Sequence, residues 1–372
     1  MQNDTIIIGA SIAGLACAAC LQKNNCNYII IEKQDTIVAP WHKHYERLHL
    51  HTHKKLSNLP YKKFDTSVPA YPSRLQVIQY LENYKNQWDI KPIFNSEAIK
   101  IFKQKDEWIT KTNRGDLQST NIIMATGAFG KPLMATYPGQ DTFTGKIIHS
   151  YEYKSGRDFM GQKVLLVGFG NSACEIAIDL FEQGAIPVMS VRSAVNVVPR
   201  DLCGIPIQQL SVLLNVLPAR IADTVSKPLI NLSIGNIEKW GLKKMKYGPI
   251  EQIHKDAKAP VIDIGIMKLI KNGKVQIREG IEYLEKNTVH FTNKISESFD
   301  AIIMATGYYR DDANIVEADS RRFEDLSNPI GKQQYFGKDG LYFCGYRVSP
   351  TGQIREIAMN AKKIAKHIAA KS

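Results

Sequence analysis

Two stretches of the chain repeat one order of apolar, glycine-rich and helix-forming segments. In the first, an apolar run at residues 6–8 leads into GASIAG at residues 9–14, and another apolar run follows at residues 28–31. In the second, KVLLVGFGNSACEIAIDL at residues 163–180 precedes an apolar run at residues 187–191. A short apolar run, a glycine turn and a helix-length segment together predict a β-α-β unit. The chain therefore predicts an α/β fold that contains two such units.

The glycine turns indicate what these units bind. In a dinucleotide-binding turn the first glycine permits a tight bend, the second lets the backbone approach a pyrophosphate, and the third allows close helix–strand packing. The first turn has Gly9 and Gly14 but carries Ser11 in second place, where a small hydroxyl can still bond a phosphate oxygen. The second turn keeps Gly168 and Gly170 and has alanine in third place. One such turn is a weak signal, whereas two complete units predict two nucleotides.

The residue that ends each second strand separates the two nucleotides. Glu32 ends the first unit, and a carboxylate there accepts hydrogen bonds from an adenosine ribose but repels a 2′-phosphate. The first site is therefore expected to bind FAD or NAD. Arg192 and Ser193 end the second unit, and a guanidinium beside a hydroxyl suits a 2′-phosphate. The second site is therefore expected to bind NADP.

Later segments complete the predicted fold. Residues 121–127 and 301–307 each indicate a buried strand that runs into Ala-Thr-Gly, where small residues let the chain pass close under a cofactor. Residues 340–345 predict another buried strand. Residues 352–370 predict an amphipathic helix, and we expect its N-terminus to face the pyrimidine ring of the flavin and stabilise negative charge there.

This order of segments predicts two dinucleotide-binding, Rossmann-like domains, one inserted into the other. The FAD-binding domain is expected at residues 1–148 and 302–372, and the NADP-binding domain at residues 149–301. The discontinuity arises because the second β-α-β unit lies between the two Ala-Thr-Gly segments.

Composition narrows the partners and the compartment. The chain has 372 residues, 44% of them hydrophobic, which suits a globular core, and a net charge of +12. Its lysines are dispersed as pairs without an aromatic-basic motif, so nucleic acid is not expected, and a field that attracts anionic NADPH is a secondary interpretation. No secretory signal and no apolar run of membrane-spanning length is evident, so we expect a cytoplasmic protein without an integral membrane segment.

The apolar stretch at residues 205–242 is helical in pattern. It predicts helices that cap the active site or form a homodimer contact. Both interpretations are favoured over peripheral membrane attachment.

Two of the six cysteines have the spacing of a redox disulfide. Cys17 and Cys20 form a C-x-x-C. Both lie on the helix predicted after the first glycine turn, where small side chains pack against the sheet. Buried free thiols are therefore favoured over redox chemistry.

A third motif lies between the two glycine turns. FTGKIIHSYEY at residues 143–153 matches F-x-G-x-x-x-H-x-x-x-(F/Y), the identifying motif of flavin-containing monooxygenases. The chain resembles this class B family and is closest to its YUCCA-like branch, the indole-3-pyruvate monooxygenases. The segments that are similar to the YUCCA branch are AYPS at 70–73, YKSG at 153–156, GNSACEIAIDL at 170–180, PVIDIG at 260–265 and DGLYFCGY at 339–346.

The resemblance implies an enzyme with FAD and NADPH as cofactors. In this family NADPH reduces FAD, oxygen adds to form a C4a-(hydro)peroxyflavin, and one oxygen atom passes to a small organic substrate. Both α-keto acid decarboxylation and N- or S-oxygenation stay open, because the tail at residues 349–356 departs from the plant pattern. An NADPH oxidase, a pyridine-nucleotide flavoprotein reductase and a non-enzymatic flavin-loaded redox sensor are the alternatives.

The turns and the resemblance together assign residues to each cofactor. Contacts to FAD are expected from Gly9, Ser11, Ala13, Gly14, Glu32, Lys33, Trp41, Ala125, Thr126, Gly127 and Gln353. Contacts to NADP are expected from Gly168, Gly170, Asn171, Ser172, Arg192 and Ser193. No side-chain nucleophile is expected, because the reactive chemistry belongs to the cofactor.

His51 is the candidate catalytic residue. It stands in LHLH at residues 48–51, which matches the flavin-adjacent position of the YUCCA branch. His49 and His53 alternate with it, an arrangement that on a strand would place three imidazoles on one face. No nearby Cys, Asp or Glu completes a ligand set, so no metal is expected.

Overall fold

The described part of the chain divides into two compact units. The computed structural model describes residues 3–127, 130–214, 216–309, 315–317 and 338–371. The first unit comprises Met1–His42, Thr52–Lys131 and Tyr308–Ser372, and the second comprises Lys43–His51 and Pro132–Gly307. The second unit is therefore wider than the predicted NADP-binding domain, and it includes a short segment from the N-terminal part of the chain.

Both units contain helices and strands. The α-helices are α1 (Ile12–Lys23), α2 (Ala39–Lys43), α3 (Arg74–Gln87), α4 (Asn171–Glu182), α5 (Ile207–Leu214), α6 (Ala219–Ile234), α7 (Pro249–Asp256), α8 (Ile266–Lys271) and α9 (Gln353–Ala369). The strands up to the second glycine turn are β1 (Asn3–Ile8), β2 (Ile29–Ile31), β3 (Ala98–Gln104), β4 (Glu107–Thr112), β5 (Gly115–Met124), β6 (Lys131–Pro132), β7 (Lys146–His149) and β8 (Lys163–Val167). The later strands are β9 (Ile186–Ser190), β10 (Val197–Pro199), β11 (Asp201–Leu202), β12 (Ile205–Pro206), β13 (Val261–Asp263), β14 (Gln276–Arg278), β15 (Ile281–Glu285), β16 (Thr288–Phe291), β17 (Ser296–Ser298), β18 (Ala301–Met304), β19 (Tyr308–Tyr309), β20 (Val316–Glu317) and β21 (Leu341–Phe343). Short 3-10 helices occupy Lys54–Leu56, Gln140–Thr142, Gly156–Phe159, Ile237–Trp240 and Lys338–Gly340.

The first unit is built on a sheet with a parallel centre. Its strand order is β2-β1-β5-β4-β3-β20, and β21 also pairs with β5. The pairs β1–β2, β1–β5 and β5–β21 are parallel, whereas β3, β4 and β5 form an antiparallel meander. Helix α1 connects β1 to β2 and is buried from Ile12 to Leu21, since it is apolar on all sides. This arrangement confirms the first predicted β-α-β unit.

The second unit is built on a fully parallel sheet. Its order is β14-β9-β8-β18-β7, with every neighbouring pair parallel. Helix α4 connects β8 to β9, which confirms the second predicted β-α-β unit. The antiparallel strands β15, β16 and β17 form a separate small sheet in this unit. Both units thus present the carboxyl ends of parallel strands, where α/β proteins hold their ligands.

The later predicted segments also form as expected. The two Ala-Thr-Gly segments follow β5 and β18, and β18 is buried along its whole length. The strand predicted near residue 340 is β21, and the C-terminal amphipathic segment is α9, which packs against α1. Among the described residues, no helix is both long and apolar enough to cross a bilayer.

Candidate cofactor sites

The two glycine turns are built in the same way. Gly9 and Gly168 have φ angles of +103° and +117°, which glycine adopts without a steric penalty. The amide of Gly9 donates to the carbonyl of Ile31 at 2.8 Å, and the amide of Gly168 donates to the carbonyl of Ser190 at 3.0 Å. Each turn is therefore fixed to the last residue of the second strand in its own unit.

An Ala-Thr-Gly segment passes directly beside each turn. A Cβ atom on Gly9 would lie 3.1 Å from the carbonyl oxygen of Ala125, and one on Gly168 would lie 2.6 Å from that of Ala305. The amide of Ala125 donates to the carbonyl of Ile8 at 2.9 Å, and the amide of Ala305 donates to that of Val167 at 3.0 Å. Close backbone packing thus requires glycine at residues 9 and 168 in the two turns.

The third position of each turn differs between the units. A Cβ atom on Gly14 would lie 1.9 Å from the carbonyl oxygen of Gly9, so even a methyl group does not fit. In the second unit Ala173 occupies the equivalent position and is fully buried. The first turn therefore packs its helix more tightly than the second.

Both helices begin with amide groups that no N-cap side chain satisfies. Ser11 is the N-cap of α1 and Gly170 the N-cap of α4, and neither makes a side-chain capping bond. The first amides of a helix lack partners within the helix, and they bind phosphate well. A Cβ atom on Gly170 would meet nothing within 4 Å, so the space in front of this turn is open. These features fit a pyrophosphate at each turn.

The residues expected to distinguish the nucleotides lie at the strand ends. Glu32 accepts hydrogen bonds from the amides of Ala10, at 2.8 Å, and Gln34, at 3.0 Å, which holds its carboxylate beside the first turn. Arg192 and Ser193 are exposed after the second strand of the other unit. Within the described ranges Arg192 forms no salt bridge, so its guanidinium is available to an anionic ligand.

The remaining predicted contacts are placed as follows. The side-chain amide of Asn171 makes two hydrogen bonds to one loop. It donates to the carbonyl of Pro260 at 3.2 Å and accepts from the amide of Ile262 at 2.8 Å. Gln353 donates to the carbonyl of Gly345 at 2.9 Å. These two side chains shape the loops at the sites, while direct contacts to the nucleotides stay a prediction.

Other predicted residues surround the first turn. The side chains of Thr126 and Tyr346 are hydrogen-bonded to each other. The carbonyl of Trp41 accepts a long bond from Arg74 at 3.4 Å. Lys33 is exposed, Ala13 and Ala125 are buried, and Gly127 and Ser172 are half-buried. Their roles toward FAD and NADP also stay predictions.

The identifying motif at residues 143–153 makes packing contacts and hydrogen bonds inside the second unit. Phe143 is buried, and a Cβ atom on Gly145 would lie 2.3 Å from the carbonyl oxygen of Asp300. Tyr153 donates its hydroxyl to the Asp179 carboxylate at 2.5 Å, within the core beside α4. Burial raises the pKa of the Tyr153 hydroxyl, and the hydrogen bond with Asp179 raises it further. The motif thus fixes strand β7 to the helix that follows the second glycine turn.

The histidine of this motif holds the second Ala-Thr-Gly turn. The Nε2 atom of His149 lies 3.1 Å from the carbonyl of Gly307, and its Nδ1 atom lies 3.1 Å from the amide of Tyr151. The neutral ring satisfies both contacts when Nε2 donates and Nδ1 accepts. Burial lowers the pKa of His149, although the bond to Gly307 opposes this shift, so the neutral form is favoured.

A buried carboxylate on α4 was not anticipated from the sequence. Glu175 is fully buried and accepts from the Tyr45 hydroxyl at 3.0 Å, from His51 Nε2 at 3.0 Å and from the amide of His49 at 3.3 Å. Arg47 lies 3.7 Å from the same carboxylate. Glu175 therefore ties the segment Lys43–His51 to the helix of the second glycine turn.

The three alternating histidines do not share one strand face. His51 contacts Glu175, whereas His49 Nδ1 lies 2.5 Å from the carbonyl of Arg47 and His53 Nδ1 accepts from the amide of Lys55 at 3.1 Å. Among the described residues, no group of His, Cys, Asp and Glu side chains could hold a metal ion. With Nε2 bonded to Glu175, only Nδ1 of His51 is left for another ligand.

The cysteine prediction is confirmed for Cys17 and Cys20. Both are buried free thiols within α1. Burial raises the pKa of Cys20 to about 12, and a hydrogen bond with Cys344 together with burial raises that of Cys17. High thiol pKa values disfavour the thiolate that disulfide chemistry requires.

Known proteins are similar to this chain in sequence and in fold. Residues 6–199 match the family model described as pyridine nucleotide-disulphide oxidoreductase. The probable indole-3-pyruvate monooxygenase YUCCA1 of Arabidopsis thaliana is 40% identical over 83% of this chain and 76% of its own length. The Arabidopsis indole-3-pyruvate monooxygenase YUCCA6 is 35% identical over 98% of this chain and 89% of its own.

Among solved structures, the flavin-containing monooxygenase from Stenotrophomonas maltophilia has a TM-score of 0.70 and 16% identity, covering 100% of this chain and 99% of its own. The bacillithiol disulfide reductase from Bacillus cereus has the same TM-score with 18% identity, and covers 100% of both chains. At these identities the structures show the fold alone.

The sequence matches define the class as a flavin-containing monooxygenase, an enzyme that uses FAD and NADPH. Within that class the chain belongs to the YUCCA family.

Proposed function

We propose that this enzyme decarboxylates an aromatic α-keto acid of the indole-3-pyruvate type by oxygenation. The observation that carries the proposal is the 34–40% identity, over most of the chain, to relatives named indole-3-pyruvate monooxygenases. In the balanced reaction the keto acid, O₂, NADPH and a proton give the shortened carboxylic acid, CO₂, NADP⁺ and water. N- or S-oxygenation is the second candidate, favoured by the departure of residues 349–356 from the plant pattern.

We propose that the two units are Rossmann-like domains, with FAD at the first glycine turn and NADP at the second. The support is the shared geometry of the turns, the uncapped starts of α1 and α4, and the opposite charges of Glu32 and Arg192. Bound flavin supplies hydride acceptance and oxygen activation. The protein's own residues bind and orient the two nucleotides, and Arg192 holds the 2′-phosphate that distinguishes NADP from NAD.

A catalytic role for His51 is part of the same proposal. Its Nε2 atom lies 3.0 Å from the buried carboxylate of Glu175, which fixes the orientation of the ring. In this proposal Nδ1 is the atom of His51 that contacts the ligand.

We also propose that the enzyme acts in the cytoplasm. All six cysteines are free thiols, and a reducing compartment maintains cysteines in that state.

The test is product formation by the purified holoenzyme. NADPH consumption, hydrogen peroxide and organic products are measured with indole-3-pyruvate, with an amine and with a sulfide. We expect CO₂ and indole-3-acetate in step with NADPH consumption, with little peroxide. A coupled N-oxide or sulfoxide without decarboxylation would establish the second candidate instead. Stoichiometric peroxide with every substrate would identify an oxidase and refute both.

A further inference from the structure

A segment from elsewhere in the second unit lies beside the chain that carries Arg192. Strands β9 and β14 are parallel neighbours, and Ser190 lies opposite Arg278 at their carboxyl ends. The Ser190 hydroxyl donates to the carbonyl of Glu279 at 2.7 Å. Arg192 and Glu279 therefore leave the same edge of the sheet side by side, at the end where the adenosine ribose of a dinucleotide binds.

Gly280 makes room for Arg192 at this edge. A Cβ atom on Gly280 would lie 3.1 Å from the Cβ atom of Arg192, closer than such atoms ordinarily approach. The backbone after β14 is therefore packed against the base of the Arg192 side chain. Glu279 directly precedes this glycine, so an acidic residue is the immediate neighbour of the position that packs on Arg192.

A second segment lies beside the same chain a few residues later. The amide of Val195 donates to the carbonyl of Lys243 at 2.8 Å, and the amide of Met245 donates to the carbonyl of Val195 at 3.3 Å. The two stretches run parallel to each other. Lys243 is thus fixed by its backbone just after Ser193, while its side chain is 58% exposed.

The charged side chains of these two segments meet. The Nζ atom of Lys243 lies 3.8 Å from Oε1 of Glu279, and the hydroxyl of Thr292 donates to the other carboxylate oxygen at 3.2 Å. Because the two backbones lie beside opposite ends of residues 190–195, the ion pair spans the stretch that carries Arg192. Glu279 is 42% exposed, and exposed ion pairs are weak, so the lysine can exchange its partner at little cost.

We propose that Lys243 is a second cation for the 2′-phosphate of NADP, and that Glu279 is its partner when the coenzyme is absent. The inference rests on the proposed placement of NADP at the second glycine turn. Arg192 supplies one positive charge, whereas a phosphate monoester carries close to two negative charges at neutral pH. With coenzyme bound, the ammonium of Lys243 lies between the carboxylate and the phosphate. Lys243 then favours NADP, and Glu279 opposes it by repulsion between like charges.

The experiment measures the dissociation constants of NADP⁺ and NAD⁺ by isothermal titration calorimetry with the holoenzyme. Lys243→Gln should weaken NADP⁺ binding about three- to tenfold, between the effect of an exposed ion pair and that of a complete charge-assisted hydrogen bond. NAD⁺ binding should stay nearly unchanged, because NAD⁺ lacks the 2′-phosphate. Glu279→Gln should strengthen NADP⁺ binding about two- to fivefold, since it removes the repulsive charge and releases the lysine. Both effects should weaken as the salt concentration rises.

The matched control is an exposed ion pair elsewhere in the same unit. Arg157 and Glu46 are 66% and 57% exposed and lie 3.6 Å apart. Arg157→Gln and Glu46→Gln change the net charge by the same amounts as the two test variants. They should leave the ratio of the two dissociation constants unchanged, because neither residue belongs to the segments beside Arg192.

Two results would overturn the proposal. One is an unchanged ratio of the dissociation constants in the folded Lys243→Gln variant, and the other is weaker NADP⁺ binding by Glu279→Gln. Arg192→Ala separates this failure from a failure of the second site. If Arg192→Ala removes the preference for NADP⁺ and Lys243→Gln does not, NADP binds where proposed and Lys243 is only a surface lysine. If neither variant changes the preference, the placement of NADP is itself wrong.

Discussion

Replacing Glu175 by glutamine should destabilise the second unit more than the same replacement of an exposed acid on this helix. The carboxylate is fully buried and receives three hydrogen bonds, from the side chains of Tyr45 and His51 and from the amide of His49. A glutamine of the same size offers one acceptor oxygen and turns an NH₂ group toward the other donors. Removing one partner of a buried polar network of this type costs about 3–5 kcal/mol.

Equilibrium urea unfolding, followed by circular dichroism, measures this cost. For a unit of this size the same loss corresponds to a fall in Tm of roughly 6–20 °C. Glu182→Gln is the matched control, because Glu182 lies on the same helix and pairs with Arg47 at 2.8 Å but is half exposed. Exposed pairs contribute about 0–1 kcal/mol. If both variants unfold within about 1 kcal/mol of the unaltered enzyme, Glu175 does not anchor Lys43–His51 and the reasoning is wrong.

Three further predictions concern the glycine turns, the coenzyme and pH. Gly14→Ala should release FAD, because the new methyl group would lie 1.9 Å from a carbonyl oxygen; absorbance at the flavin band measures the loss. Gly170→Ala meets open space, so this variant should keep the fold and raise KM for NADPH, which steady-state rates measure. Arg192→Ala should remove most of the preference for NADPH over NADH, about ten- to a hundredfold in kcat/KM, and equal use of both coenzymes by the unaltered enzyme would refute the assignment. Burial lowers the pKa of His149 below its usual 6.5, so the unfolded chain binds a proton at a higher pH than the folded chain does. The free energy of unfolding should therefore fall as pH drops below about 6.5. In urea titrations at several pH values, His149→Gln should reduce this dependence on pH.

The glycine turns could be predicted because their constraints are local. Gly9 and Gly168 have positive φ angles, and each lies too close to a backbone carbonyl oxygen to carry a Cβ atom, so both requirements appear directly as glycine. The order of apolar runs around the turns then determines the β-α-β units. The same locality explains why the second place of the first turn can hold Ser11, since its backbone is extended, with φ at −95°, and does not need the conformational freedom of glycine.

Glu175 could not be predicted because its requirement is distant in sequence. An acid inside a helix ordinarily indicates a solvated face, and the partners of Glu175 lie more than 120 residues away. The sequence of α4 gives no signal of this burial, because Glu175 and Asp179 lie on the same face of the helix as Asn171 and Glu182 and therefore resemble part of a solvated polar face. Both acids are buried, and each accepts hydrogen bonds from a segment that packs on the helix. Glu175 and Asp179 therefore act as internal anchors, whereas Glu182 on the same helix is half exposed.

The identifying motif shows why the sequence indicates the enzyme class more readily than the substrate. Tyr153 binds the helix of the second glycine turn and His149 binds the Ala-Thr-Gly turn beside it, so both residues stabilise the same proposed nucleotide site. Both contacts support the fold around the turn and do not depend on what the enzyme oxidises. Substrate choice instead depends on the side chains that line the reaction space, which no motif in this sequence identifies. For this reason the substrate panel, and not further motif comparison, is the measurement that can separate decarboxylation from N- or S-oxygenation.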